Sequence, residues 1–403
     1  MQKTDSFRLS VQEIGGALGD IGVLLPLTAA LITVNGLSAT GVFFGVGVAY
    51  VLTGLFYRLP LPVQPLKAIA AIAIAQGLSA TTIWAAGWWM GGLLLVLAAT
   101  DTARLLGGFF PRPVTRGIQL GLGLLLVRSG ILLTMRREIV PGGVERVIRL
   151  ASQPVPLGWL LAGVAFVLLL YAVYRRWPVS LIVLTFGAFA SLIWGGAAEG
   201  LGQIRLGLVL PRPALPRLAD LADALLLLVL PQLPLTLGNA VFATVDTARA
   251  YFGHAARRVT PRALLTTMGL SQVIAALFGG APVCHGSGGL TAHYKLGART
   301  GAAPLFMGAL CLVLALFVDG NVLPILAFVP YPVLGALLAF VGVQHGLLAR
   351  DVRGYVEISI ALTIATVAFA TTNLALGFGA GIVLWQGVRW IQRLRPRPEG
   401  VRP

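Results

Sequence analysis

The sequence predicts an all-α membrane protein, and three observations support that fold class. Hydrophobic residues make up 57% of the 403 residues and charged residues only 11%, whereas soluble domains are about 25% charged. The apolar residues lie in long blocks, not in the alternating pattern of an outer-membrane barrel. Prolines, glycines and charges divide the blocks into segments of helical length. This composition excludes an ordinary soluble domain.

The two ends of the chain and its cysteines carry further expectations. Residues 1–13 are polar and no small-residue cleavage site follows them, so we expect a retained first span and not a removed signal peptide. A basic tail from about residue 391 is expected to follow the last span. Cys284 and Cys311 match no disulfide framework or metal spacing, and no cofactor is predicted. The net charge of +16 comes without a basic, aromatic-rich domain that would bind nucleic acid.

Fourteen apolar segments result from breaking the sequence at charges, prolines and glycine clusters. They are 14–34, 38–57, 62–76, 83–100, 114–134, 157–174, 178–196, 221–250, 261–279, 282–297, 302–318, 322–346, 355–370 and 374–392. With the N-terminus inside, twenty-one of the thirty lysines and arginines fall on the inner side and seven on the outer side. This bias follows the positive-inside rule, so we expect both termini in the cytoplasm.

Short matches between the two halves of the chain predict an internal repeat. LGD at 18–20 recurs as LGN at 237–239, an offset of 219, and PVQ at 62–64 recurs as PVC at 282–284, an offset of 220. Each match falls in corresponding segments of two seven-segment halves. Because seven is odd, the second half enters from the opposite side, which makes the repeats inverted.

Segments three and ten cannot be ordinary membrane-spanning helices. Three prolines within 60–65 force an extended approach before a helix begins near Lys67. Segment ten lies in APVCHGSGGLTAHYKLG at 281–297 and contains four glycines, whereas a span needs about 20 mostly apolar residues. Irregular backbone at membrane depth is tolerated only inside protein or beside a wet cavity. We therefore expect two half-helices whose N-terminal ends, including the amides of Gly286 and Gly288, face an anion.

Lys67 and Asp20 are charged residues that the segments place at membrane depth. Lys67 falls in the first turn of the predicted half-helix, which is the wrong end for a cation. A charge at this depth is costly, so something negative must lie near it. Either Asp20 forms a structural pair with Lys67, or an anionic substrate supplies the charge. Asp20 is also a candidate for titrating with transport, with a satisfied structural acid as the alternative.

Further polar residues lie in segment eight. Gln232 stands between two prolines that bend the helix, and we interpret its amide as a ligand contact. Asn239, the repeat counterpart of Asp20, either hydrogen-bonds a polar ligand or cross-links helices. Asp246 is a second coupling candidate, with helix capping or a loop salt bridge as the alternative.

Cys284, His285 and Ser287 lie beside the second helix start. Two side chains are too few ligands for zinc, and no Ser/His/Asp or Cys/His/Asn set surrounds them, so neither a metal site nor an enzyme is predicted. A neutral His285 that donates to a ligand or to a backbone carbonyl is the favoured interpretation. Ser287 is expected to donate its hydroxyl to a ligand, to cap the half-helix, or both.

Four stretches carry a resemblance: GGALGDIGVLLPL (15–27), LPVQPLKAIAAIAIAQG (61–77), LPQLPLTLGNAVFAT (230–244) and APVCHGSGGLTAHYKLGARTG (281–301). With them the chain resembles a bacterial member of the molybdate transporter family, a branch related to the SulP sulfate permeases. The motifs PVQPLKAIA and CHGSGGL are the most specific part of this resemblance.

The resemblance implies fourteen transmembrane segments as seven-plus-seven inverted repeats. A core domain would comprise 1–110 and 219–318, and a gate domain 111–218 and 319–403. Substrate would lie between the half-helices of segments three and ten, beside Gln64 and the residues named above, while the core moves against the gate. Related folds often form homodimers through the gate domain.

The leading hypothesis is a secondary active transporter of the inner membrane that imports molybdate, a tetrahedral divalent oxyanion, with proton coupling through Asp20. Sulfate and tungstate stay open as alternatives. A nucleobase or monovalent-anion carrier of the same fold would need side-chain acids that segment ten lacks. A passive anion channel would need a continuous polar pore, whereas the polar residues here cluster at one depth.

Overall fold

The computed structural model describes residues 7–103, 105, 111–136, 138–140, 143, 145–150, 153–175, 177, 179–194, 207–317 and 328–394. This part of the chain is mostly helical. Seven of its helices are long and apolar enough to cross a membrane, or eight if a bent pair near the N-terminus forms one span. The predicted helical membrane fold is confirmed at this level, and the count of fourteen spans stays a prediction.

The first half of the described chain contains eight helices: α1 Val11–Leu18, α2 Ile21–Asn35, α3 Ala39–Tyr57, α4 Lys67–Gln76, α5 Ala80–Thr100, α6 Arg112–Thr134, α7 Leu157–Tyr174 and α8 Val179–Trp194. Local sequence sets several of their ends. The Ser38 and Ser79 hydroxyls accept from backbone amides in the first turns of α3 and α5, at 3.2 and 3.3 Å. Gly77 ends α4 with a φ of +62°, which glycine adopts freely. Helices α1 and α2 meet at a 43° bend.

The second half contains α9 Asp220–Arg258, α10 Pro261–Leu277, α11 Ser287–Lys295, α12 Ala302–Phe317, α13 Tyr331–Gly346, α14 Tyr355–Thr371 and α15 Leu374–Leu394. Helix α9 is irregular, because π-helical turns at Ala224–Val229 and Thr236–Ala243 flank the stretch that carries Pro231 and Pro234. Proline removes a backbone donor and crowds the preceding turn, and π turns are frequent at functional sites. The bend predicted near Gln232 therefore takes the form of these two π turns.

Two small antiparallel sheets lie among the helices. Strand β1 (Gln64–Pro65) pairs with β4 (Val283–Cys284), and β2 (Val147–Leu150) pairs with β3 (Gln153–Pro156). The sequence analysis predicted neither sheet. Two-residue strands next to prolines are too short to show a period-two pattern, and the β2–β3 hairpin lies in a loop between predicted spans.

Glycines allow the closest helix crossings in one group of helices. Helix α3 packs on α12, and α5 packs on α10. At the first crossing Gly47 meets Gly308, and at the second Gly91 meets Gly269. A Cβ added to any of these four glycines would lie 3.0–3.1 Å from the carbonyl oxygen of its partner. The missing side chains therefore let the backbones approach each other closely.

A second group of helices packs around α6. Helix α6 contacts α13 and α14, and α14 contacts α15. The α6–α13 crossing is formed by Gly123 and Gly342, where an added Cβ on either glycine would lie 2.6 Å from the other's carbonyl oxygen. This crossing leaves no room for even a methyl group.

Candidate functional site

The paired strands β1 and β4 bring the starts of two short helices together. Helix α4 begins at Lys67, just after β1, and α11 begins at Ser287, just after β4. The Leu66 amide donates to the Pro282 carbonyl at 2.9 Å, so the pairing extends to the first helical turn. Both breaks lie where the sequence predicts them.

A cavity of about 360 Å³, its mouth included, lies at these helix starts. Its walls come from α4, α9 and β4 on one side and from α6 and the end of α13 on the other. The lining residues are Lys67, Gln119, Gln232, Leu235, Asn239, Ala240, Cys284, His345 and Leu348. No carboxylate of the described residues lines it. The polar part of the wall is one ammonium group, three amides, an imidazole and a thiol. Such a wall offers mainly hydrogen-bond donors.

Lys67 supplies the positive charge of the cavity wall. Among the described residues its ammonium group has no ion-pair or hydrogen-bond partner, and the side chain is half-buried. A Cβ placed on Gly286 would lie 3.9 Å from Nζ. The expected alternative of a Lys67–Asp20 pair is not found, because the Asp20 oxygens accept from Tyr50 and Gln64. A partly buried ammonium group without a counter-ion favours the binding of an anion.

The start of α11 presents backbone amides that no side chain caps. Gly286 is the extended residue before the helix, so Ser287 is the first helical residue and not the cap. The Ser287 hydroxyl donates to Asn239 Oδ1 at 2.7 Å. This bond leaves Asn239 Nδ2 free to donate elsewhere, and a Cβ on Gly286 would lie 3.7 Å from it. Open space surrounds the Cα of Gly288.

The start of α4 differs, because Gln232 of α9 caps it. Gln232 Oε1 accepts from the amides of Ala68 and Ile69 at 2.9 and 3.3 Å. Its Nε2 donates to the Thr236 hydroxyl at 3.0 Å. The two half-helices therefore contribute differently to the cavity: α4 presents its lysine, and α11 presents its backbone amides.

Seven of the eleven predicted residues are not among the residues that line the cavity: Asp20, Gln64, Asp246, His285, Gly286, Ser287 and Gly288. Gln64 faces Asp20, to which its amide donates. His285 is buried, with Nδ1 donating to the Pro62 carbonyl at 3.0 Å and Nε2 lying 3.2 Å from the Thr267 hydroxyl. The backbone-carbonyl interpretation therefore describes this histidine in the present structure. Asp246 is exposed on α9.

Two polar residues of the cavity wall, Gln119 and His345, were not predicted from the sequence. Gln119 of α6 is buried and accepts from Arg116 through Oε1 at 2.8 Å, which leaves its amide NH₂ as a donor. His345 of α13 donates from Nδ1 to the Val341 carbonyl at 3.0 Å. Each is a polar side chain in an apolar segment, which is a signal that the sequence carries. Only the packing of α6 and α13 against the half-helices shows that both face the same cavity.

A family described as "Molybdate transporter of MFS superfamily" matches residues 12–126 and 224–344, which is more than half of the chain. The chain is 29% identical to molybdate transporter 1 of Arabidopsis thaliana, over 98% of this chain and 92% of that protein. It is also 29% identical to molybdate transporter 1 of Chlamydomonas reinhardtii, over 93% and 91%. A probable sulfate transporter of Mycobacterium tuberculosis is 26% identical, over 88% of this chain and 65% of that protein.

Solved structures with the same fold are more distant in sequence. The transmembrane domain of the cyanobacterial bicarbonate transporter BicA superposes with a TM-score of 0.64 at 17% identity, over 93% of this chain and 96% of that one. SLC26A9 superposes with a TM-score of 0.64 at 14% identity, over 96% of this chain and 66% of that one. These likenesses show the fold of the chain.

Proposed function

The chain belongs to the molybdate transporter family, and from that premise we propose that it is a secondary active transporter that imports molybdate across the cytoplasmic membrane. Membership of this family and the apolar helices make it a multi-pass membrane protein that transports anions and is not an enzyme. The substrate, the site and the transport cycle are the proposed part.

The observation that carries the proposal is the unpartnered ammonium group of Lys67 beside the uncapped start of α11. A doubly charged oxyanion can accept from Nζ, from the amides that follow Gly286 and from Asn239 Nδ2. Helix N-termini bind anions because their amides and the helix dipole favour negative charge. A nucleobase site would offer acids or paired donors and acceptors, whereas no carboxylate of the described residues lines this cavity.

The wall of the cavity suits a small inorganic anion because it offers hydrogen-bond donors and one positive charge; the 360 Å³ counts open space at the mouth as well as the enclosed part. Molybdate, sulfate and tungstate are all tetrahedral divalent anions, so size and donor spacing are the features by which the site can discriminate among them. Cys284 lines the cavity. Gln64 and His285 do not line it, but they fix the backbone near the two helix starts through their bonds to Asp20 and to the Pro62 carbonyl.

Two contacts support the inverted repeat. Gln64 pairs with Cys284 in the β1–β4 register, and Gly123 meets Gly342 at the α6–α13 crossing; the residue numbers differ by 220 and 219. Equivalent residues of two repeats can contact each other only on the axis that relates the repeats. The same offset relates Lys67 to Ser287, the first residues of the two half-helices.

We assign α3, α5, α10 and α12, together with α4, α9 and α11, to the core and the α6 group to the gate. The cavity receives Lys67 of α4 and Gln232 of α9 from the core, and Gln119 and His345 from the gate. Movement of the core against the gate would therefore open and close the cavity on alternate sides. Cytoplasmic termini and a homodimer formed through the gate belong to this proposal.

Uptake of radiolabelled molybdate into proteoliposomes tests the function. We expect saturable uptake of labelled molybdate. Excess unlabelled molybdate should abolish this uptake, and the same excess of sulfate should reduce it less. Uptake of sulfate in preference to molybdate would identify a sulfate permease. The similarity to a probable sulfate transporter of Mycobacterium tuberculosis is the reason for this second candidate. Uptake that rises linearly with concentration would identify a channel and contradict the proposal.

A further inference from the structure

His293 of α11 carries a buried ring nitrogen that has no partner. The side chain is fully buried, and Nδ1 lies 2.9 Å from the Pro60 carbonyl. A carbonyl can only accept, so Nδ1 carries a hydrogen and donates it. Nε2 forms no hydrogen bond in the described structure and faces Asp20 Oδ2 at 3.8 Å. In the neutral ring Nε2 carries a lone pair and no hydrogen, so Nε2 and Asp20 Oδ2 are two acceptors that face each other inside the protein.

Asp20 is 1% exposed and is held by donors on its other sides. Oδ2 accepts from the Tyr50 hydroxyl and Oδ1 from the Gln64 amide. A sodium ion at this carboxylate would need several oxygen ligands, whereas the groups aimed at Asp20 are an O–H, an N–H and an imidazole nitrogen. A proton on Nε2 would turn the unfavourable contact of two acceptors into a charge-assisted hydrogen bond.

The other ionisable groups near the pair do not supply that proton. Besides His293, Tyr50 of α3, Cys284 of β4 and Cys311 of α12 also interact electrostatically with Asp20. The Tyr50 hydroxyl already donates to the carboxylate, and both thiols are buried.

Two further acids lie on elements that pack against α11: Glu13 of α1, and Asp246 of α9, whose side chain is exposed. Glu13 Oε1 accepts from the backbone amides of Arg299 and Thr300 at 2.8 and 3.0 Å. Lys67 faces the cavity and not the carboxylate. His293 is therefore the described group whose protonation Asp20 can stabilise directly.

We propose that Asp20 and His293 together bind the single proton that enters with each oxyanion. This inference rests on the proposed function and names its coupling ion and the second coupling residue. Without a proton, Lys67, Asp20 and a divalent anion place a net charge of about minus two in the membrane interior, where charge is costly. One bound proton halves that charge, so proton and anion favour each other's binding.

The proton step needs no further reactant. The Nε2 lone pair takes a proton from a hydronium ion of the outer solution when the site is open to it, and a water molecule leaves. The new Nε2–H donates to Asp20 Oδ2 once the gap of 3.8 Å closes by about 1 Å to hydrogen-bond length. On the cytoplasmic side the same bond breaks and water takes the proton.

Helix α11 connects the proton site to the anion site. Ser287 begins the helix and His293 lies six residues later, which corresponds to about 9 Å along the axis. A shift that draws His293 toward Asp20 therefore moves the amides at the start of α11. Asp20 holds the other half-helix as well, because Gln64 lies three residues before Lys67.

Proteoliposomes containing the full chain and a trapped pH dye test the pair. For wild type, we expect added molybdate to acidify the interior of the proteoliposomes. Its uptake should fall by about tenfold for each unit by which the outer pH exceeds the midpoint of the uptake curve, because one proton must bind for each anion. For His293→Gln and Asp20→Asn, we expect less than about twofold change per unit and no acidification. His254→Gln is the control: it removes an exposed histidine of α9 that is not among the cavity residues, and it should keep the wild-type pH slope. If His293→Gln kept the wild-type dependence of uptake on pH and still acidified the interior of the proteoliposomes, the proposal would be overturned.

A titration that needs no transport separates this inference from the proposed function. On acidification, purified wild type should bind about one proton more than either variant. Equal proton numbers would refute the shared proton even if molybdate uptake is intact. If wild type binds the extra proton but takes up no oxyanion, the proposed proton site at Asp20 and His293 stands and the proposed transport function is refuted. If His293→Gln does not fold, Asp20→Asn decides both measurements.

Discussion

Replacing Lys67 with methionine removes the charge from the cavity and keeps most of the side-chain volume. In the structure, Nζ lies 3.9 Å from the position that a Cβ on Gly286 would take, and we take about 4 Å as the separation between the ammonium group and an anion seated at the start of α11. Two unit charges at about 4 Å interact with about 4 kcal/mol at an effective dielectric constant of about 20. Removing one partner of a desolvated charge pair costs about 2–5 kcal/mol.

These energies correspond to a molybdate Kd that rises by at least about 30-fold in Lys67→Met. The fold should not suffer, because Lys67 has no described partner to lose and lies at the unfavourable end of a helix dipole. We therefore expect an unchanged or higher Tm together with the loss of affinity. Such a combination is the usual signature of a functional residue that is held at a cost to stability.

Isothermal titration of the purified protein with molybdate measures the affinity, and thermal unfolding in detergent measures the stability. Lys67→Arg keeps the charge and should lie between wild type and Lys67→Met. Lys295→Met is the matched control, since Lys295 is an exposed lysine at the far end of α11. A Kd within about threefold of wild type in Lys67→Met would refute the assignment of Lys67 to the anion site.

Two further substitutions test the walls of the cavity. Gly286→Ala adds a methyl group at ordinary contact distance from the pocket wall, on extended backbone that alanine adopts; we expect normal folding and a larger loss of affinity for molybdate than for the smaller sulfate. Gly92→Ala, whose methyl group meets open space, is its control, and equal losses for both anions would contradict the placement. Gln232→Glu keeps an acceptor for the α4 amides and places a negative charge at the start of that helix. Its negative charge should weaken molybdate binding by about tenfold or more at low salt, and unchanged binding would show that this wall does not face the anion.

Residue patterns alone predicted the positions of both chain breaks. The prolines before Lys67 cannot propagate a helix, so α4 begins after them, and the extended Gly286 precedes the start of α11, although Gly288 and Gly289 lie within its first turn. The same reasoning identified four cavity residues, Lys67, Gln232, Asn239 and Cys284. It did not show which half-helix start would be open, because the Gln232 cap depends on how α9 packs against α4.

The polar partners were harder to predict than the breaks. Asp20 and Lys67 are the intuitive pair because they carry opposite charge in one apolar region. In the fold, Asp20 instead accepts hydrogen bonds from Tyr50 and Gln64 and faces His293, and these three residues lie on different elements. Hydrogen-bond partners that are tens or hundreds of residues apart leave no periodic signal in the sequence.

The sequence by itself determined that the chain is a helical membrane protein, where two of its helices are broken, and which residues of unusual polarity lie near the breaks. Those properties depend on local chemistry: hydrophobicity, the missing amide of proline and the conformational freedom of glycine. Only the tertiary structure decided that Lys67 is left without a counter-ion, that Gln119 and His345 close the cavity, and that His293 faces Asp20. Each of these depends on the relative positions of helices, which are set by glycine crossings and the β1–β4 pairing between distant parts of the chain.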